Sequence, residues 1–366
     1  MLVSILIFLL VLSILVIVHE FGHFWVARKN GVLVEEFGFG LPPRVIGRKI
    51  GETLYSINAL PFGGFVRLHG EQDEGGIMYP RKAFLNKSKR VRIAVIVAGV
   101  IMNFILAVVS FAIVYSFQGI PRELNKVKVV DVTAGSPAQV AGLIVGDFIK
   151  SADKKEFIKV EEFISYVDTK RGQKVALVVE RETNEIKLTI TPRENPPAGE
   201  GPLGVTITTT EIYFAPIWQR PFYGIYYGFK EAVFWGQTVI SGFSGMIGGL
   251  FHGQTPKDVA GPVGIFAVST QAAKFGTLSL INFIGILSVN LAILNILPFP
   301  ALDGGRLLFI AIEGVIGRKV LPKIESMVHS AGMIFLLILI VLITFSDVRK
   351  LISAGSISGF LQTLTK

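Results

Sequence analysis

The chain has 366 residues, 51% of them apolar and 17% charged, with a mean hydropathy of +0.58 and a formal net charge of +9. Soluble domains average about 25% charged residues, so the balance points to a membrane and excludes a disordered chain or a collagen-like fibre. With no cysteine, a disulfide-stapled module, thiolate metal ligation and thiol catalysis are excluded too.

Residues Leu2 to Val18 form an apolar run broken only by Ser4 and Ser13. No basic residue precedes it, the first being Arg28. The run therefore lacks the basic start of a signal peptide and reads as a first transmembrane helix, residues 1–27. It leads into His19-Glu20-Phe21-Gly22-His23. On a helix of roughly 3.6 residues per turn, His19 and His23 share a face with Glu20 beside them. Two imidazoles so placed can hold Zn²⁺, leaving Glu20 to take a proton from an attacking water. Ionisable groups at the end of such a run are costly in lipid and usually mark function. The bland alternative is interfacial residues that merely end a helix.

Residues 28–90 read as a β-rich loop against the membrane. Glu36 to Pro43 is dense in breakers, and Thr53–Ile57 and Gly64–Leu68 look like two short strands. The segment 58–68, which holds Gly63, Gly64 and Phe65, has two readings: a small sheet covering the helices, or an exposed strand edge that pairs with an extended peptide. Residues 91–118 read as a second transmembrane helix with Asn103 in its first half. Residues 119–212 read as a small α+β domain. Its expected elements are a strand at Val127–Val132, a helix opened by Ser136-Pro137-Ala138, a turn at Gly146-Asp147, an amphipathic stretch over 160–169 and a hairpin about Thr183-Asn184. Residues 213–275 follow as an amphipathic region. Within it the aromatic, Gly-rich stretch Phe222–Phe251 is expected to lie on the membrane rather than to cross as a fifth span. Residues 276–316 read as a third transmembrane segment broken by Pro298 and Pro300. Residues 317–366 contain a fourth apolar run, Ala331–Phe345, and a tail.

Basic residues mark the cytoplasmic side. Arg28 to Arg92 holds twelve basic against six acidic groups, whereas 120–276 holds seventeen against sixteen. The β element is thus expected inside, with both termini and the α+β domain outside. That use of the charge leaves no case for nucleic acid. In this topology His19, Glu20, His23, Asn103 and Asp303 all fall towards the cytoplasmic side. Asp303 is the best candidate for a third ligand, since a hydrolytic zinc site needs three protein ligands and one open position. The alternative is that Asp303-Gly304 is only a turn at a span end.

The pattern Ala134-Gly135-Ser136-Pro137-Ala138 followed by Ala141-Gly142-Leu143 and Gly146-Asp147 resembles bacterial PDZ domains. Their peptide-carboxylate loop would match Gly201-Pro202-Leu203-Gly204-Val205. The resemblance implies a peptide or protein C-terminus as partner, unless the domain is a spacer or size filter. HEFGH in the first span, Asn295-Ile296-Leu297-Pro298-Phe299-Pro300-Ala301-Leu302-Asp303-Gly304-Gly305 in the third, and a PDZ module between them resemble the site-2 protease family, in its regulator-of-sigma-E group. That likeness implies an intramembrane zinc metalloprotease of the bacterial inner membrane: a polytopic α-helical protein with about four spans, a membrane-associated β element and one PDZ domain. It further implies Zn²⁺ on His19, His23 and Asp303, Glu20 as catalytic base, and substrate contacts from Asn295, Asn103, Gly63, Gly64 and Phe65. The substrates implied are single-span membrane proteins, such as anti-sigma factors or signal-peptide remnants. Val100 stands where the family's G-P-x-x-N motif has proline. Two rivals are a membrane metal-ion transporter, which would usually show inverted repeats, and an inactive PDZ scaffold, which would have no use for Glu20.

Overall fold

A computed structural model describes residues 2–71, 78–252 and 261–363. The chain forms two compact units, one of Met1–Phe117 with Trp218–Lys366 and one of Gln118–Ile217. Among the described residues, four helices are long and apolar enough to cross a membrane: Leu2–Lys29, Lys89–Gln118, Thr277–Ile296 and Lys323–Ala354.

Helix α1 spans Leu2–Lys29. At about 1.5 Å per residue it is about 42 Å long, more than the roughly 30 Å of a bilayer core. HEFGH therefore lies within the helix, with a further turn and a half beyond it. Two long strands follow, β1 (Val34–Ile50) and β2 (Thr53–Leu68). This corrects the expectation of breakers over 36–43 and of two short strands. The glycines and prolines bend the strands without ending them. At Gly40 (φ +76°) a Cβ would stand 2.4 Å from the Leu60 carbonyl oxygen. The bends let Glu36–Phe39 pair on both sides. Gly64–Arg67 runs antiparallel along one side, and Leu54–Ile57 lies along the other with numbers rising together. Arg44–Ile50 closes back on Thr53–Asn58 as a hairpin. The 64–67 arm is thus an outer edge of the sheet.

Helix α2 (Lys89–Gln118) approaches α1 with almost no space between backbones. A Cβ on Gly22 would stand 2.4 Å from the Ala98 carbonyl oxygen. Small residues at a helix crossing permit this approach where lipid offers no hydrophobic drive. At its base, Arg92 and Glu313 form an ion pair of 2.7 Å, each only 2% exposed.

The second unit comprises β3 (Ile120–Val132), α3 (Pro137–Val140), β4 (Phe148–Ala152), β5 (Lys155–Glu156), α4 (Val160–Thr169), β6 (Val175–Arg181), β7 (Asn184–Ile190) and β8 (Val205–Tyr213). Its sheet runs in the order β7-β6-β4-β3-β8, with β5 beside β4. The core gathers Val129, Leu143, Ile149, Phe163, Leu177 and Ile190. Ser136 caps α3 by accepting from the Gln139 amide at 3.2 Å, as an N-cap serine should. The turn aspartate, Asp147, is fully buried and accepts from Arg181 Nε at 2.8 Å, Arg181 Nη2 at 2.9 Å and the Ile144 amide at 3.0 Å.

Helix α5 (Arg220–Phe251) belongs to the first unit and is not among the four span-length apolar helices. It runs lengthwise and antiparallel to α2: Gly224 meets Ala112 and Ser116, Gly228 meets Ala112 and Val108, and Phe229 meets Phe104. Its charges are satisfied within the protein. Glu231 accepts from Tyr115 at 2.8 Å and Trp235 at 3.0 Å, and Lys230 stands over the Tyr226 ring. The remaining helices are α6 (Pro262–Lys274), α7 (Thr277–Ile296), α8 (Asp303–Ile316), α9 (Pro322–Ala354) and α10 (Ile357–Thr363). Asp347 of α9 accepts from the Gly261 and Gly264 amides, each at 3.0 Å, satisfying the otherwise unpaired N-terminus of α6.

Candidate metal centre

The break between α7 and α8 builds the site. Pro298 and Pro300 cannot continue α7, and residues 297–302 fold back on the start of α8. Two glycines permit this. A Cβ on Gly304 would stand 2.0 Å from the Leu297 carbonyl oxygen, and one on Gly305 2.5 Å from that of Phe299. Asp303, the first residue of α8, is thereby brought to α1. Its Oδ2 lies 3.1 Å from His19 Nε2 and 3.3 Å from His23 Nε2, and the two imidazole nitrogens are 3.1 Å apart. Among the described residues this is the one His/Cys/Asp/Glu group spaced to hold a metal ion.

The donors fit zinc. Ligands about 2.0–2.1 Å from a tetrahedral zinc stand roughly 3.3 Å apart, the spacing of this triangle. Asp303 Oδ2 is buried and accepts no hydrogen bond, which is costly unless a cation takes its place. The rings are held with Nε2 inward. His23 donates from Nδ1 to the Val95 carbonyl at 2.8 Å, leaving the Nε2 lone pair for the centre. Asn103 is fully buried, with its amide 3.3 Å from His19 Nδ1. Of the two orientations of this planar amide, the one with Oδ1 on the ring gives the His19 Nδ1–H an acceptor. His19 Nδ1–H then donates, Oδ1 accepts, and Nε2 keeps its lone pair. Such partners fix the tautomer of a metal-ligating histidine.

Asn103, expected among the substrate contacts, here stands against the His19 ring on the side away from Asp303. Asn295, at the end of α7, brings its side-chain nitrogen to 3.5 Å from His19 Nε2 and stands at the centre itself. Glu20 is half-buried beside the sheet edge: its Cγ lies 3.8 Å from where a Gly64 Cβ would be. Gly63 turns the strand at φ +82°, and Phe65 packs its ring on Gly38. Pro202, Leu203, Gly204 and Val205 belong to the other unit. There Leu203 is 3% exposed, its carbonyl accepts from the Ala138 amide at 3.1 Å, and that of Gly204 accepts from Thr133 at 2.9 Å.

Three features were not legible beforehand. Gly99 leaves room for the imidazoles, since its Cβ would stand 2.4 Å from His23 Nε2 and 2.7 Å from His19 Cε1. Its place in Gly99-x-x-x-Asn103 was the available signal. Arg306, one turn after Asp303, pairs with Glu71, whose other oxygen accepts from the Leu68 amide at 3.3 Å. This ties α8 to the end of β2. The third is His329, on α9.

Residues 7–339 match the family model described as peptidase family M50. The chain is similar to a candidate zinc metalloprotease of Clostridium perfringens, at 35% identity over 93% of this chain and 97% of the relative. It is also similar to the zinc metalloprotease RasP of Geobacillus kaustophilus, at 30% identity over 95% of this chain and 98% of that one. Of the solved structures, the PDZ domain of an SdrC-like protein from Listeria monocytogenes shares 25% identity with 24% of this chain, 92% of that domain being covered, with a TM-score of 0.22.

Proposed function

The chain belongs to peptidase family M50 and is an intramembrane zinc metalloprotease, and we propose that His19, His23 and Asp303 hold its zinc while Glu20 moves the protons. The observation that carries this assignment is the convergence of three ligand atoms at 3.1–3.3 Å around a buried carboxylate oxygen that accepts no hydrogen bond. Bound there, zinc supplies Lewis acidity, polarising a scissile carbonyl and making water easier to deprotonate. The rest falls to the chain. Glu20 takes the proton from the attacking water and passes it to the leaving nitrogen. The Asn295 amide donates to the carbonyl oxygen of the bond being cut.

A membrane helix hides its peptide bonds in its own hydrogen bonds, so cleavage needs an unwound substrate. The outer edge of β2 at Gly64–Arg67, beside Glu20, offers a strand to pair with that segment. Substrates are single-span membrane proteins, opened next to this edge. The transporter and the inactive scaffold give no reason for a glutamate between the ligands and the strand edge.

The surplus of basic residues over 28–92 supports a cytoplasmic position for the sheet and an extracytoplasmic one for the termini and for Gln118–Ile217. We read that unit as a PDZ domain. Among the described residues β8 pairs only with β3, leaving its other edge open, and contacts α4. The Pro202–Val205 loop leads into that edge, as a site for a peptide C-terminus requires. Because the chain has no cysteine, single-cysteine variants labelled from either side will report its sidedness directly.

Glu20→Gln separates the three functions. Proteolysis predicts full zinc content with cleavage of a membrane-spanning reporter reduced about 10²–10⁴-fold. Metal movement across vesicles that survives the substitution would favour a transporter, and protein without zinc would favour a scaffold.

A further inference from the structure

Asp303 reaches the histidines only if the six residues before it hold their path, and that path contains a conformation the sequence does not favour. Ala301 has φ +79°, the left-handed region that an L residue with a Cβ rarely adopts. Such a residue persists where its surroundings over-determine it. Here the turn closes on itself, the Leu302 amide donating to the Phe299 carbonyl at 3.2 Å, and one face of α9 packs on it. His329 Nδ1 accepts a hydrogen bond from the Ala301 amide at 3.0 Å. One turn further along α9, Pro300 sits where a Gly332 side chain would be, 2.5 Å from its missing Cβ. Another turn on, the Phe335 ring meets that of Phe299 at 5.9 Å. The His329 ring is itself fixed against Phe309 of α8 at 5.7 Å. The loop is thus held from α9 at three successive residues, and the one hydrogen bond among these three contacts comes from a histidine that no motif singled out.

We propose that His329 is a positioning residue for the metal centre: by accepting from the Ala301 amide it holds the loop left-handed and so sets the reach of Asp303. The proposal rests on Asp303 being a zinc ligand. It concerns a bond one residue short of Leu302, not a fourth ligand. His329 lies 26 residues beyond Asp303 in sequence and acts on it through the backbone alone. Its role is to keep the aspartate in place when metal leaves, which makes zinc release the sensitive quantity.

The test uses the full chain in nanodiscs, with bound zinc measured against increasing chelator and folding followed by helical circular dichroism. His329→Leu removes the acceptor while filling the space, and is expected to lower the chelator concentration for half-loss of zinc by about 10–100-fold, the usual effect of losing such a supporting partner. His329→Asn places an oxygen near the former Nδ1 and should restore most of it. Ala301→Gly, which makes φ +79° cheap, should recover part of the loss when added to His329→Leu. Unchanged zinc release in His329→Leu, or equal loss in the Leu and Asn variants with native helicity, would overturn the proposal. Asp303→Ala is the separate control. If it keeps its zinc, the ligand assignment fails; if it loses zinc while His329→Leu does not, the clamp alone fails.

Discussion

The two units treat charge in opposite ways. In Gln118–Ile217 the ion pairs lie at the surface, as in Lys126–Glu180 and Arg171–Asp168, and the one fully buried carboxylate, Asp147, is matched on both oxygens. The helical unit keeps exposed pairs too, such as Lys82–Glu52, but places several polar groups inside. Arg92, Asn103, Asp303 and His329 each retain a buried atom without a hydrogen-bond partner. A soluble domain can leave its charges in water at little cost. A membrane helix has no such outlet, so a polar group kept at depth is retained for what it binds or holds. The contrast separates residues that stabilise from residues that position, and substitution can test it on both sides.

The largest expected effect is at Arg92. Replacing it with Met leaves Glu313 buried and unpaired, a loss of about 3–5 kcal/mol that should appear as a large fall in the thermal midpoint of the purified protein. Adding Glu313→Leu should return most of it, because a matched apolar pair restores what a lone charge costs. Failure of the double variant to recover would make this pair a functional group rather than a structural one.

Gly99→Ala comes next. Its methyl would press on both imidazoles, and overpacking of this kind costs about 1–3 kcal/mol. The contrast predicts that zinc content falls while helicity holds. A drop in helicity with zinc retained would reverse the assignment of Gly99 from the centre to general packing.

The smallest effect belongs to the soluble unit. Burial pushes the Asp147 carboxyl up, but the Arg181 guanidinium and the Ile144 amide outweigh it and hold it below the ordinary aspartate value of 3.8. A depressed carboxylate stabilises the fold above its unfolded pKa, and that contribution is lost as pH falls through the folded value. Hydrogen exchange in Gln118–Ile217 should therefore show Asp147→Asn less protected than the parent by about 1–3 kcal/mol at pH 7. The gap should narrow as pH drops below the ordinary aspartate range. An equal gap at all pH values would remove the charge from the account.

Much of this was legible in the sequence, and the reason differs by element. Four spans could be read because lipid requires long apolar runs, and His19, Glu20 and His23 because helical periodicity fixes which side chains share a face. Asp303 was the best candidate for a third ligand from the ligand count and the broken third run, with a plain turn at a span end as the alternative. The path of β1 did not follow, because Gly40, Pro42 and Pro43 look like terminators unless the pairing partner at Leu60 is known. Nor did the packing of α5 along α2, where Tyr115, Trp235 and its own tyrosines meet its charges. The supports of the centre were hidden for the same reason. Val95 and Asn103 serve His23 and His19 from another helix, and His329 serves Asp303 through a backbone amide, so no local pattern announces them.

Zinc-edge X-ray absorption on the full chain carrying Glu20→Gln reads directly whether two imidazoles and one carboxylate hold the metal. Four light-atom ligands at about 2.0–2.1 Å are expected, with the multiple-scattering signature of two imidazoles, and one ligand fewer after Asp303→Ala. A third imidazole, or a spectrum unchanged by Asp303→Ala, would contradict that ligand set.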